Sequence, residues 1–265
     1  VDISFITPCF NSEKTVLKTL ESVQREACSL QYEHLLIDGG SEDGTEQTVK
    51  DFASSRVQWY QDPDDGAYDG MNRGIARARG RLVAILNSDD YYSNGAIDCV
   101  IRAEKENPTK SLFCGNTRIQ YPDGREEIKV PDLTWRGKLG IHPPVWHPSM
   151  IVRREVYERV GVYNLRFPIV ADIDFFFRAL DQGEKVLHID QTLTVMKTGG
   201  LSTRAYHQTP LEMMEVHRSR PGINGFFSQM FYYKNRRFRG HGSSPAERWK
   251  YWSWAMKDLF FGSKK

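Results

Sequence analysis

Apolar positions along the chain fall into two spacings that alternate. Short, mainly apolar runs at 3–6, 34–37, 57–60 and 81–86 read as buried strands. Between them Val16, Leu17, Leu20 and Val23 recur at helical spacing, predicting a helix over 15–27, with further helices over 43–53 and 69–79. Strand then helix, repeated, predicts an α/β fold on a parallel sheet. Further on, helical patterns cover 96–106, 153–160 and 171–181, and strand patterns cover 112–120, 186–189 and 193–197. Asp123-Gly124 is a hairpin turn. Residues 131–148 read as irregular and rich in Pro, Trp and His; 199–208 read as a polar loop, followed mostly by helix.

Composition changes this picture little. The 265 residues are 40% hydrophobic and 26% charged with a net charge of +2, an ordinary globular balance with no global pull toward nucleic acid. No apolar run reaches the 18 or so residues of a membrane span. The four cysteines, Cys9, Cys28, Cys99 and Cys114, are widely spaced and form no C-x-x-C pair. They are expected to be reduced thiols of a cytoplasmic chain, and the N-terminus lacks a signal-peptide profile.

Charge placement is more informative. In parallel sheets ligands sit beyond the carboxyl ends of the strands. Asp38, Asp62, Asp64, Asp65, Asp89 and Asp90 all fall at or just after such ends. The apolar run 82–86 finishes on Asn87-Ser88-Asp89-Asp90, two adjacent carboxylates that repel unless something compensates them. A polar turn is one explanation. A divalent cation between protein and substrate is the other.

Five segments, in order, carry a resemblance: "TPCFN" (7–11), "LIDGGSEDGT" (36–45), "DDGAYDGMNRGIARARG" (64–80), "LNSDD" (86–90) and "ADIDFFFRAL" (171–180). Together they resemble the GT-A glycosyltransferases, most closely family 2, over most of residues 1–200. The resemblance implies a Rossmann-like, mostly parallel sheet flanked by helices. It implies a catalytic domain over 1–204, with a nucleotide-sugar half at about 1–95 and an acceptor half at about 96–204. Its reaction would be metal-dependent, inverting transfer of a sugar from a nucleoside-diphosphate sugar, UDP by default, to a glycan acceptor. A polyprenyl diphosphate carrier and a role in polysaccharide biosynthesis are part of that expectation.

The resemblance also implies residue roles. Asp90 matches the ligand of Mn2+ or Mg2+, which would stabilise charge on the departing diphosphate, and Asp89 would hold the ribose or a metal-bound water. Thr7, Pro8, Phe10 and Asp38 would line the base pocket. Asp65, Asp69 and Asn72 would contact nucleotide or donor sugar. Asp172 would be the general base that deprotonates the acceptor hydroxyl. Asp174 and Arg178, at i and i+4, are expected to pair with each other. Trp146, His147 and Arg178 are expected on the acceptor side, with Trp135 and His142 as further candidates there. Gly199-Gly200-Leu201-Ser202, with Arg204 and His207, would close over the diphosphate. The residue types alone also fit plainer roles: a turn cap for Asp38, core for Phe10 and the tryptophans, helix N-caps for Asp69 and Asp172, and a structural histidine at His147.

The segment 205–265 lies outside the resemblance and reads as a helical extension. From Thr203 onward 12 Lys/Arg face 4 Asp/Glu, interleaved with Trp, Tyr and Phe. Such a segment suits a membrane surface or packs on the domain; no nucleic-acid module is recognisable. Two other functional classes fit the scaffold. A sugar nucleotidyltransferase would carry a Gly-rich basic loop after the first strand, where this chain has "TPCFNSEKT". A non-catalytic binding module would need no base at Asp172.

Overall fold

The computed structural model describes residues 1–52, 54–133, 144–198 and 209–218. One nine-stranded sheet organises them. Its first half is the predicted parallel unit: β1 (Ile3–Cys9), β2 (Tyr32–Asp38), β3 (Val57–Gln61) and β4 (Leu82–Ile85) pair in the order β3-β2-β1-β4, all parallel. Helices α1 (Val16–Glu26), α2 (Thr45–Asp51) and α3 (Ala67–Arg77) connect them. β1 and β2 are buried along their whole length, which is why their sequences read as runs and not as alternation.

The second half is mixed. After a two-residue strand β5 (Tyr91–Tyr92) and α4 (Ala96–Glu106) come β6 (Leu112–Gln120), β7 (Glu126–Lys129), β8 (Met150–Arg153), α5 (Arg154–Val160), α6 (Ala171–Asp181), β9 (Val186–Lys197) and α7 (Thr209–Arg218). β8 inserts antiparallel beside β4, and the sheet continues β8-β6-β9-β5. The two strands expected at 186–189 and 193–197 are one, with an irregularity where β6 shifts register around Asn116. The strand β8 escaped the sequence pattern because four residues are too short to show a period.

The antiparallel insertion places the site. Ala84 of β4 pairs with Ile151 of β8. The residues just before β8 therefore lie beside those just after β4, although about sixty positions separate them in the chain. α6 is held against this half by a stacked pair, Tyr157 and Phe175, with ring centroids 4.7 Å apart. Arg178 bonds Asp174 at 2.8 Å, as the i, i+4 spacing predicts, and also donates to the carbonyls of Val160, the last residue of α5, and Val162 just after it, each at 2.7 Å. α7 packs on the same core, with Val216 fully buried and Met213 against the cluster. The part of the 205–265 extension that is described thus docks on the domain. Trp135, His142, Arg204, His207, the 199–202 loop and the basic segment from 219 lie outside the described residues.

Candidate active site

The 87–90 turn is fixed before any ligand arrives. Thr19 donates to the Asp90 carbonyl at 2.7 Å, and the hydroxyls of Ser12 and Ser88 share a 2.6 Å bond. The adjacent carboxylates then divide. Asp90 is 1% exposed and turned inward, where its carboxylate accepts the Asn87 amide at 3.1 Å. Burial, followed by the charge of Asp89, pushes its carboxyl well above the usual range. Asp89 is only half-buried. Burial raises its carboxyl too, while the charges of Lys197 and His147 act the other way. Among the described residues no Lys, Arg or His nitrogen forms an ion pair with it within 4 Å. The metal position expected at Asp90 therefore falls on a residue that braces the loop from inside. Asp89 is the more exposed carboxylate of the two.

His147 stands across from this turn. It opens a 3-10 turn, His147–Ser149, with Pro148 inside it and a half-buried Trp146 as its cap. Ser149 pins the turn to the sheet by bonds to Thr117 at 2.6 Å, to the Asn116 carbonyl at 3.2 Å and to Thr194. The ring touches both halves of the site: Nε2 lies 3.3 Å from Asn87 Oδ1, and Nδ1 lies 3.3 Å from Asp172 Oδ2. The Asn87 amide points its N–H toward Asp90, so its oxygen is the atom that faces His147.

Asp172 sits in the first turn of α6, with 13% of its side chain exposed. Its Oδ1 is fully engaged, accepting the Tyr68 hydroxyl at 2.8 Å and the Ile173 N–H at 2.9 Å. Its Oδ2 meets only His147 among these contacts. Burial and the neighbouring Asp172 charge raise the Tyr68 hydroxyl well above its ordinary range, so Tyr68 stays a donor. Carboxylate, imidazole, amide and second carboxylate form one connected row from α6 to the 87–90 turn.

The other expected contacts separate into two groups. Phe10 is 65% exposed, which rules out a core role and leaves a ring free at the end of β1. Thr7 and Pro8 are buried; the Thr7 hydroxyl bonds His34 at 2.9 Å. Asp38 is 1% exposed and accepts the N–H groups of Gly40 and Ser41 and the Ser41 hydroxyl. A φ of +101° at Gly40 turns the chain back to make this possible. Asp69 is the third residue of α3 and no N-cap; it reaches back to the Asp65 N–H and pairs with Arg73 at 2.9 Å, which holds its carboxyl below the usual range. Asn72 clamps the backbone of Tyr163 through both amide groups, each at 2.9 Å. Arg178 is likewise committed to α5 and Asp174. Neither Asn72 nor Arg178 faces the row described above.

Asn72→Ala removes both partners of the Tyr163 peptide groups. It should cost about 1–3 kcal/mol, read as a Tm lower by roughly 2–4 °C per kcal/mol. Loss of nucleotide affinity at unchanged Tm would instead return Asn72 to the donor site.

Within "DDG" the two carboxylates differ in their surroundings. Asp65 is exposed, whereas Asp64 lies between the turn after β2 and the start of α3. A Cβ at Gly39 would come within 2.9 Å of its carboxylate, and one at Gly70 within 2.7 Å. Burial raises its carboxyl, with the charges of Asp69 and Asp38 adding to the effect. The available signal was Gly70, a glycine inside a helix, which costs about 1 kcal/mol relative to Ala unless close approach requires it.

Comparison with known proteins shows the family. A model of the glycosyl transferase family 2 domain matches residues 4–161. A glycosyltransferase of Mycobacterium tuberculosis is 29% identical over 252 residues, 91% of this chain and 93% of its own length. A PGL/p-HBAD biosynthesis glycosyltransferase of the same species is 30% identical over 184 residues, 66% of this chain and 68% of its own. In fold, the chain is similar to S. aureus TarS residues 1–349 in complex with UDP-GlcNAc, with a TM-score of 0.65 at 16% identity over 86% of this chain and 69% of that one. It is equally similar, at a TM-score of 0.65 and 14% identity, to a mannosyltransferase of Pyrobaculum calidifontis in complex with GDP-Man and Mn2+, covering 96% of this chain and 80% of that one.

Proposed function

Because the chain belongs to glycosyl transferase family 2 and is thereby a glycosyltransferase, we propose that it moves a sugar from a nucleoside-diphosphate sugar to a glycan hydroxyl by metal-assisted, inverting transfer. The observation that carries this reading is the row Asp172–His147–Asn87, which brings a candidate proton acceptor to the turn that bears Asp89.

The residues fit a divalent ion of the magnesium or manganese type. Such ions bind through one or two carboxylates and take their remaining ligands from substrate phosphates and water. Among the described residues, Asp89 is one half-buried carboxylate without an ion-pair partner, and no group of three His, Cys, Asp or Glu could hold a metal unaided. When bound there with the donor, the ion would supply positive charge where the leaving diphosphate becomes more negative.

The chain's own residues do the rest. Asp172 Oδ2 takes the proton of the acceptor hydroxyl as its oxygen attacks the anomeric carbon. Tyr68 and the Ile173 N–H hold Oδ1, so the carboxylate presents one defined oxygen. His147 orients that oxygen from the other side. A single base and direct attack give inversion. Phe10 offers an exposed ring to the nucleotide base, and Asp64 lies on the donor side of the cleft.

The Mycobacterium relative named for PGL/p-HBAD biosynthesis supports a glycolipid or polysaccharide acceptor. No helix among the described residues is long and apolar enough to cross a membrane. The basic, aromatic composition of the 219–265 sequence would suit a peripheral place at the cytoplasmic membrane face, where a polyprenyl diphosphate-linked acceptor would be met. A nucleotidyltransferase reading has no comparable support.

The test is thermal stabilisation by UDP, GDP, dTDP and CDP, each with Mn2+ and with EDTA. One nucleotide should stabilise the protein only with metal, by about 2.7 kcal/mol at 100 times its Kd. Stabilisation by none of the four, in either condition, would remove the donor-site assignment.

A further inference from the structure

We propose that Glu212, on α7, is a positioning residue that sets the start of α6 and with it the direction of Asp172. This deepens the reading of Asp172 as the base and rests on it.

α6 begins with no side-chain cap of its own: its N-cap is Val170, which makes no side-chain cap bond. N–H groups at a helix start need partners from elsewhere. Glu212 supplies one from a helix about forty residues further along the chain. Its Oε2 accepts the N–H of Ile169 at 2.8 Å and that of Val170 at 3.1 Å. The 169–170 peptide unit is gripped from its opposite side by Tyr68. Its hydroxyl faces the Ile169 carbonyl at 3.1 Å as well as Asp172 Oδ1. Asp172 is only two residues beyond Val170, so its carboxylate follows the path of this short stretch.

α7 is itself anchored at three points. Val216 is fully buried, Met213 packs on the core cluster, and Glu215 pairs with Arg166 in the connection that leads into α6. The Glu212 carboxylate is half-buried, and burial raises it above the usual range. A protonated Glu212 would still accept through its carbonyl oxygen, so the grip depends on geometry more than on charge. Both α6 and α7 lie beyond the 4–161 match.

A misplacement of about 1 Å in a reacting group can cost about 10²-fold in rate. Glu212→Ala in the full chain should therefore lower kcat by about 10-fold or more. The KM for the donor sugar nucleotide and the affinity for its nucleoside diphosphate should stay unchanged, because both depend on the other side of the cleft. Glu212→Gln keeps an oxygen that can accept both N–H groups and should retain most of the activity. Glu212→Asp, shorter by one methylene, carries the same test should the alanine variant not fold, with a smaller loss confined to kcat. Asp172→Asn is assayed alongside. If it is inactive while Glu212→Ala and Glu212→Asp keep the parent kcat, Glu212 has no positioning role and the base reading stands. A Gln variant as impaired as the Ala variant also overturns the proposal. If Asp172→Asn keeps the parent rate, the base reading itself fails and the proposal falls with it.

Discussion

Asp172→Asn will lower kcat by about 10² to 10⁴, the range for removing a general base, and leave nucleotide affinity as it was. The asparagine can accept the Tyr68 hydroxyl and the Ile173 N–H as the carboxylate does, so the start of α6 should keep its shape. What changes is the atom facing His147 and the acceptor. An amide at that place takes up no proton at neutral pH. Steady-state rates with a sugar-nucleotide donor, paired with nucleotide binding, separate this from a folding defect. A variant that transfers sugar within a few-fold of the parent enzyme would mean that the proton leaves by another route, and His147 would be the next group to replace. His147 contacts Asp172 and Asn87 with its two ring nitrogens, so it is the one described side chain that bridges base and donor turn directly.

Asp89→Asn is expected to cost about 10²-fold or more in rate, the scale of losing one group that stabilises developing charge. It should also abolish the metal dependence of nucleotide binding. The apo protein should respond in the opposite sense. A carboxyl raised by burial contributes stability that is fully present below its ordinary pKa and lost as pH rises through its folded-state value. At neutral pH the charged Asp89 therefore works against the apo fold, and its removal should leave the apo Tm equal or higher. Asp90→Asn supplies the contrast. Asp90 is buried and holds the Asn87 amide, so the variant should show its effect in stability and keep metal-dependent nucleotide binding. Were the two variants to exchange these behaviours, the metal-facing carboxylate would be Asp90, as the order of residues in "NSDD" first implied.

That exchange of roles marks where the sequence stops being legible. Adjacent residues after a strand point in different directions, and which one faces the cleft depends on the contacts that fix the turn. Here those contacts come from Thr19 and Ser12, both remote in sequence. The same holds for Asp64 and Asp65, which differ by one position and by whether two glycine backbones enclose the carboxylate. Asn72, Asp69 and Arg178 have the polar character of ligand contacts, yet each is engaged by the protein itself, because a helix side chain can bond whatever element packs beside it. Glu212 gave no sign at all: one glutamate in a helical pattern looks like a solvated one.

The sequence by itself determined the alternation of strand and helix over the first ninety residues, the boundaries of α4, β6 and α6, and the gathering of carboxylates at strand ends. These are local properties, since burial imposes a period on apolar residues and a parallel sheet puts every loop of one kind on one edge. Only the tertiary structure decided that β8 would enter antiparallel beside β4. That choice turns His147 toward Asn87 and Asp172 and makes one site of residues 87, 147 and 172. Strand order and direction are set by the sum of side-chain packing across the sheet, which no single short strand carries in its own sequence.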